Sequence, residues 1–154
     1  DVAQLALCML ERPIALLGPT ELHPALNRFK NQLNENSARF ARVGVIPEMN
    51  HNESVAWGGV GSEHDDSAIE HVLLLLTWQG MYRQVSKRMD WMIAHATTDY
   101  AWKIVGEGNT LLESLLHLCI LMDWISIALA LLRGKDPAAI GPIRALKEHL
   151  ESVQ

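Results

Sequence analysis

The chain has 154 residues, 49% of them hydrophobic, and a formal net charge of -5, a balance that fits one folded domain with a sizeable core and excludes a disordered segment. Its 13 basic residues are scattered without a stripe, which excludes nucleic acid and anionic membrane as partners. Cys8 and Cys119, the two cysteines, each lie in an apolar helical pattern and read as buried, reduced thiols of a cytoplasmic protein, not as a zinc site.

Val2, Leu5, Ala6, Met9 and Leu10 recur at helical spacing over Asp1 to Leu10. This stretch has no cationic start, apolar segment and small-residue cleavage site of a signal peptide, and without an initial Met it reads as the opening of a piece cut from a longer polypeptide. Pro13 ends the helix before a short strand, Ile14 to Leu17, stopped by Gly18-Pro19. A second helix is predicted from Thr20 to Pro24 up to about Asn34, on the stripe Leu22, Leu26, Phe29 and Leu33. Val43 to Ile46 form the next strand, and Pro47 to Asn52 turn into a short helix with Val55 and Trp57. Gly58 to Asp66 is a loop by its glycine and charge content.

His71 to Thr77 is a continuous apolar run, the pattern of a parallel strand buried on both faces. A helix over Met81 to Ala96 and a fourth strand over Tyr100 to Val105 follow. Such alternation predicts right-handed crossovers and an α/β three-layer sandwich: a mostly parallel sheet of four to five strands flanked by helices, in one domain over residues 1–154. Thr110 to Arg133 is long and apolar enough to weigh a membrane span against a buried helix. Asp123 near its middle would cost about 2.5 to 3.5 kcal/mol in a bilayer, so a buried helix broken near Asp123 is predicted. Its apolar surround is wide enough for another domain or subunit. Gly134 caps it, and Pro137 and Pro142 bracket a loop. The last helix carries the stripe Ile143, Leu146, Leu150 and Val153, with Lys147 at the stripe's edge, able to reach inward.

Candidate chemistry gathers between Asn31 and Trp57, where two polar clusters bracket a strand: Asn34, Glu35 and Asn36 before it, and Glu48, Asn50, His51, Asn52 and Glu53 after it. Glu35 falls at the C-terminal end of a predicted helix, where a carboxylate is disfavoured by about 0.3 to 1 kcal/mol. Stability therefore does not account for it. Gly106 to Thr110 (GEGNT) occupies a strand-to-helix position that suits phosphate, but a helix cap by Asn109 or Thr110 explains it. His51 with Glu48 and Glu53 offers metal-ligand chemistry, yet no second histidine lies at helical ligand spacing, so no metal is expected. Neither GxGxxG nor GxxxxGK[ST] occurs, and no cofactor is expected.

Lys30 to Asn36 (KNQLNEN), Pro47 to Glu53 (PEMNHNE) followed by Trp57, and Asp123 to Lys147 (DWISIALALLRGKDPAAIGPIRALK) resemble the C-terminal sugar-isomerase (SIS) domain of bacterial and archaeal bifunctional phosphoglucose/phosphomannose isomerases. The resemblance implies two tandem SIS domains in a dimer, with the active site at domain and subunit boundaries. On the matching motifs it implies that Glu35 moves the proton between C1 and C2, that His51 assists ring opening and that Lys147 lies near the ring oxygen. Asn34, Asn36, Asn50 and Asn52 would be the surrounding substrate contacts, with Asn34 and Asn36 holding Glu35 in place.

Aldose–ketose interconversion needs those residue types. A carboxylate removes a weakly acidic C–H proton and returns it to the neighbouring carbon, an imidazole shuttles a proton on the ring oxygen near pH 7, and a lysine stabilises oxyanion character. Nothing here matches the first SIS domain with its Ser/Thr-rich phosphate loop, so the chain would supply half a site. Gly58 to Asp66 and Trp78-Gln79 fit that family loosely, which leaves gluco or manno preference open. The other reading is a non-catalytic SIS module that binds phosphosugars for regulation or assembly.

Overall fold

In the computed structural model, which describes residues 1–153, the four apolar runs of strand length pair as one parallel sheet. The strands are β1 (Ile14–Pro19), β2 (Ala41–Ile46), β3 (Val72–Trp78) and β4 (Ala101–Gly106), in the order β2-β1-β3-β4. Leu16 lies beside Val43 on one side and Leu74 on the other, and Leu75 lies beside Lys103. The two central strands are buried almost throughout, whereas the edge strands keep exposed positions. Strands covered on both faces have no solvent side, so a continuous apolar run is what such positions demand.

Alternate residues of the central strands face different layers. Ile14, Leu16, Leu74 and Leu76 pack with α1 (Val2–Met9), α2 (His23–Ser37) and α5 (Leu111–Leu132). Ala15, Leu17, Leu73 and Leu75 pack on the other side with Met49, with Trp57 of α3 (Glu53–Trp57), and with Met89 and Met92 of α4 (Arg83–His95). The result is the expected three-layer α/β sandwich, with four strands. Cys8 and Cys119 are free and half-buried at the edge of the first layer, less enclosed than their apolar neighbours predict.

The helix α5 is continuous through Asp123, not broken there. One carboxylate oxygen is met sideways: Arg28 of α2 donates to Asp123 Oδ2 at 2.6 Å, while Oδ1 is buried without a partner. At the other end Thr110 and Glu113 form a reciprocal cap. Glu113 Oε2 accepts from the backbone N–H groups of Asn109 and Thr110 at 2.6 and 3.0 Å, and Thr110 Oγ1 accepts from that of Glu113 at 3.2 Å. GEGNT is thus a helix cap. By length and composition α5 could cross a membrane; here its face with Leu118, Met122, Ile125 and Leu129 is buried in the first core layer.

The final helix, α6 (Gly141–Glu151), departs from expectation. None of its residues is buried, and Ile143, Leu146 and Leu150 are exposed. Its apolar stripe is real, but the surface that the stripe needs is not supplied by the described residues of this chain.

Candidate active site

Glu35 reaches its position through α2. The stripe Leu26, Phe29 and Leu33 is fully buried, and the 100° step per residue then turns Asn34 and Glu35 out to solvent. No basic residue occupies the last turn of α2, so within its own helix the Glu35 carboxylate stands at the negative end without a compensating cation. Ala38 closes the helix in the left-handed region at φ 51°. Asn34 and Glu35 open onto a cleft of about 550 Å³ whose other wall is the segment from Gly134 to Ile143, including Lys135 and Asp136.

Lys147 is not in that cleft. Ile143 of α6 lines it, and Lys147 lies one turn further along the same face, exposed. The lysine is exposed and does not line the Glu35 cleft, where an inward reach was expected. Asn36 lines the cleft with Glu35, but its Nδ2 donates to Gln32 Oε1 at 2.9 Å and to Ser126 Oγ of α5 at 2.7 Å. It ties α2 to α5 and does not hold Glu35, since side chains of successive helical residues diverge.

His51 ends the 3-10 turn Glu48–His51 that follows β2 and is exposed. Its neighbours build the turn. Asn52 Oδ1 accepts from the Glu53 backbone N–H at 2.6 Å and caps α3, and Asn50 Nδ2 donates to Ser54 Oγ at 3.3 Å. Glu53 pairs with Arg42. That carboxylate lies against Gly44, where an added Cβ would come within 2.5 Å of Leu17 Cδ2 and 3.3 Å of Glu53 Oε2, so only glycine leaves the space.

Glu35 and His51 do not meet within one chain. The helix α2 packs on the first face of the sheet, whereas Met49 and Trp57, on either side of His51 in the chain, pack on the second. Between Glu35 and His51 runs β2, whose six residues span about 20 Å at roughly 3.3 Å per residue. The crevice between the ends of β1 and β3, where open α/β sheets commonly hold ligands, is bridged. Trp78 Nε1 donates to Glu21 Oε1 there at 2.9 Å, and the Trp78 ring lies where a Cβ on Gly80 would approach within 2.3 Å.

Lys135 and Asp136 are lining residues that sequence reasoning misses, because they fall in the short link between the helix-ending Gly134 and Pro137; their charge beside Gly134 is the signal that could have marked them. Arg133 is missed as well. Its guanidinium donates to Ser37 O and, at 3.0 Å, to Ala38 O, covering the exposed carbonyls at the end of α2.

The layer order and parallel topology define an SIS-type α/β domain. A glucose-6-phosphate isomerase-like protein of known structure from Thermus thermophilus superposes with a TM-score of 0.72 at 18% identity, over 96% of this chain and 47% of that one. A glucosamine-6-phosphate deaminase from Thermotoga maritima reaches 0.58 at 12% identity over 88% of this chain. At such identities the likeness speaks for the fold alone.

Sequence supplies the family. The family model for the bacterial phospho-glucose isomerase C-terminal SIS domain matches residues 1–150, and the chain belongs to that family. The bifunctional phosphoglucose/phosphomannose isomerase of Aquifex aeolicus is 33% identical over 142 residues, covering 90% of this chain and 42% of that protein. The protein of the same name from Caldicellulosiruptor bescii is 29% identical over 137 residues, covering 89% and 39%. The chain therefore spans about two fifths of the length of these relatives.

Proposed function

We propose that this chain is the base-bearing half of an aldose–ketose isomerase that interconverts glucose 6-phosphate, mannose 6-phosphate or both with fructose 6-phosphate. The observation that carries the reading is Glu35: an exposed carboxylate at the negative end of α2, opening on a cleft, in a chain of this family. Glu35 takes the proton from C2 of the open-chain aldose to give an enediol and returns it to C1, while a proton passes from the O2 hydroxyl to O1 as the carbonyl shifts from C1 to C2 to give the ketose. His51 relays the proton that opens the ring, and Lys147 balances negative charge on the developing oxyanion.

The separation of Glu35 from His51 makes the site composite. Glu35 and Lys147 belong to one end of the domain and His51 to the other face, so one hexose contacts all three only where a second surface brings another His51 to the Glu35 cleft. A homodimer supplies that, and a preceding SIS domain of the same polypeptide supplies the phosphate anchor, since the corresponding crevice here is bridged by Trp78 and Glu21. Placement of a reacting carbon through a remote phosphate is a large part of such rate enhancement.

The test is Glu35→Gln in the full-length protein, read as exchange of solvent hydrogen into fructose 6-phosphate together with ligand affinity. Loss of exchange by about 10²- to 10⁴-fold, with affinity retained, is the result expected for removal of a general base. Turnover within about tenfold of the parent protein would sink the assignment and favour a phosphosugar-binding module without catalysis.

A further inference from the structure

On the second face of the sheet, away from Glu35, a polar cleft of about 350 Å³ opens between α4 and the turn that carries His51. Gln84, Lys87, Arg88 and Trp91 line one wall. They follow at i, i+3, i+4 and i+7 and so share one face of α4, held outward because Met89 and Met92 are buried on the other. Asn50 and Ser54 form the facing wall.

The charge of this lining is one-sided. It holds two cations and no carboxylate in a chain of net charge -5. Lys103 is paired with Asp90 and Arg42 with Glu53, whereas among the described residues neither Lys87 nor Arg88 has an ion-pair partner. On the facing wall Asn50 Nδ2 donates to Ser54 Oγ, and Asn50 Oδ1 is buried behind it. Trp91 is half-exposed, and its ring is fixed by stacking on His95 at 4.5 Å between centroids.

We propose that this cleft binds the phosphate monoester of a sugar, with the phosphoryl oxygens on Lys87 and Arg88, ring hydroxyls on Ser54 and Gln84, and the sugar ring against Trp91. Charge-assisted hydrogen bonds favour a doubly charged phosphoryl group at adjacent Lys and Arg side chains. Amide and hydroxyl groups suit a ligand that both donates and accepts, and the volume lies in the range of small-molecule sites. The assignment uses neither Glu35 nor Lys147 and stands or falls apart from the isomerase reading.

The experiment is a nuclear magnetic resonance titration of the protein with 1,5-anhydroglucitol 6-phosphate, a ring that cannot isomerise, and separately with inorganic phosphate at constant ionic strength, following the Trp91 indole N–H. A saturable shift is expected, weakened about tenfold or more by Lys87→Gln and by Arg88→Gln. Arg83→Gln, which removes the same charge from the same helix outside the cleft, should change affinity by less than about twofold. Trp91→Leu should weaken the sugar phosphate more than inorganic phosphate, and Glu35→Gln should alter neither. Absence of a saturable shift, or equal weakening by Arg83→Gln, overturns the site; equal effects of Trp91→Leu on both ligands overturn the sugar class. Lys87→Arg, which keeps charge and fold, retains phosphate binding if the cation is the contact and guards against loss through misfolding.

Discussion

His51 has no hydrogen-bond partner among the described residues and is exposed, so His51→Ala should leave the melting temperature almost unchanged. Its effect should fall on chemistry instead. If the imidazole opens the ring, the loss in kcat/KM should be much larger on a cyclic hexose 6-phosphate than on the open-chain aldehyde erythrose 4-phosphate. Equal losses on both substrates would reduce His51 to a structural residue. Glu113 gives a pH prediction with a defined sign. Backbone donation from Asn109, then from Thr110, holds its carboxyl below the usual carboxylate range. A group whose folded-state pKa is depressed contributes stability that is present above its unfolded pKa, near 4.5, and lost as the pH falls through the lower folded value. Thermal unfolding of Glu113→Gln should therefore differ from the parent at pH 6 and converge with it once the pH has fallen through the depressed folded value. At this scale the sequence was legible where residue type decided: Glu35 at an unfavourable helix end, and a cap by Asn109 or Thr110, of which the structure uses Thr110. It was not legible where direction decided, since the turn of Asn36 toward Ser126 depends on where α5 packs.

Among elements, α5 joins two roles on one helix. Leu118 is fully buried, whereas Leu116 is 56% exposed on the opposite face with Leu112, Ile120 and Trp124. Leu118→Ala should cost about 2 to 5 kcal/mol in denaturant unfolding, as expected for a core truncation. The same change at Leu116 should cost within about 0.5 kcal/mol while weakening self-association in sedimentation, and a monomeric parent protein would refute the second half. A helix apolar on every side reads the same from sequence whether its second face meets lipid, a domain or a subunit, which is why its packing was predictable and its partner was not. Asp123 shows the complementary limit. A charge within an apolar helix looks like a break until a cation from another element, Arg28 on α2, answers it at 2.6 Å. Strand order was similarly accessible in kind, because continuous apolar runs imply burial on both faces, while the neighbours of each strand came only from the three-dimensional register.

For the molecule as a whole, three observations point the same way. The apolar faces of α5 and α6 are left uncovered, Glu35 and His51 lie on different faces of the sheet, and the chain spans about two fifths of its relatives' length. A site assembled across two copies has a consequence that no arrangement within one copy shares. Let one variant carry Glu35→Gln and another His51→Ala in the full-length protein. Each alone has every site impaired. In a mixed dimer, one site brings the two substituted positions together, and the other pairs the intact Glu35 of one chain with the intact His51 of the second chain. Random exchange at equal concentrations makes about half the dimers mixed, each with one working site of two, so about a quarter of the parent activity should return on mixing. The measurement is a coupled isomerase assay followed through subunit exchange, with the two unmixed variants as baselines. Recovery toward that level establishes that Glu35 and His51 act across chains; activity that stays at the average of the two baselines would place both residues in one chain's site and refute the composite arrangement.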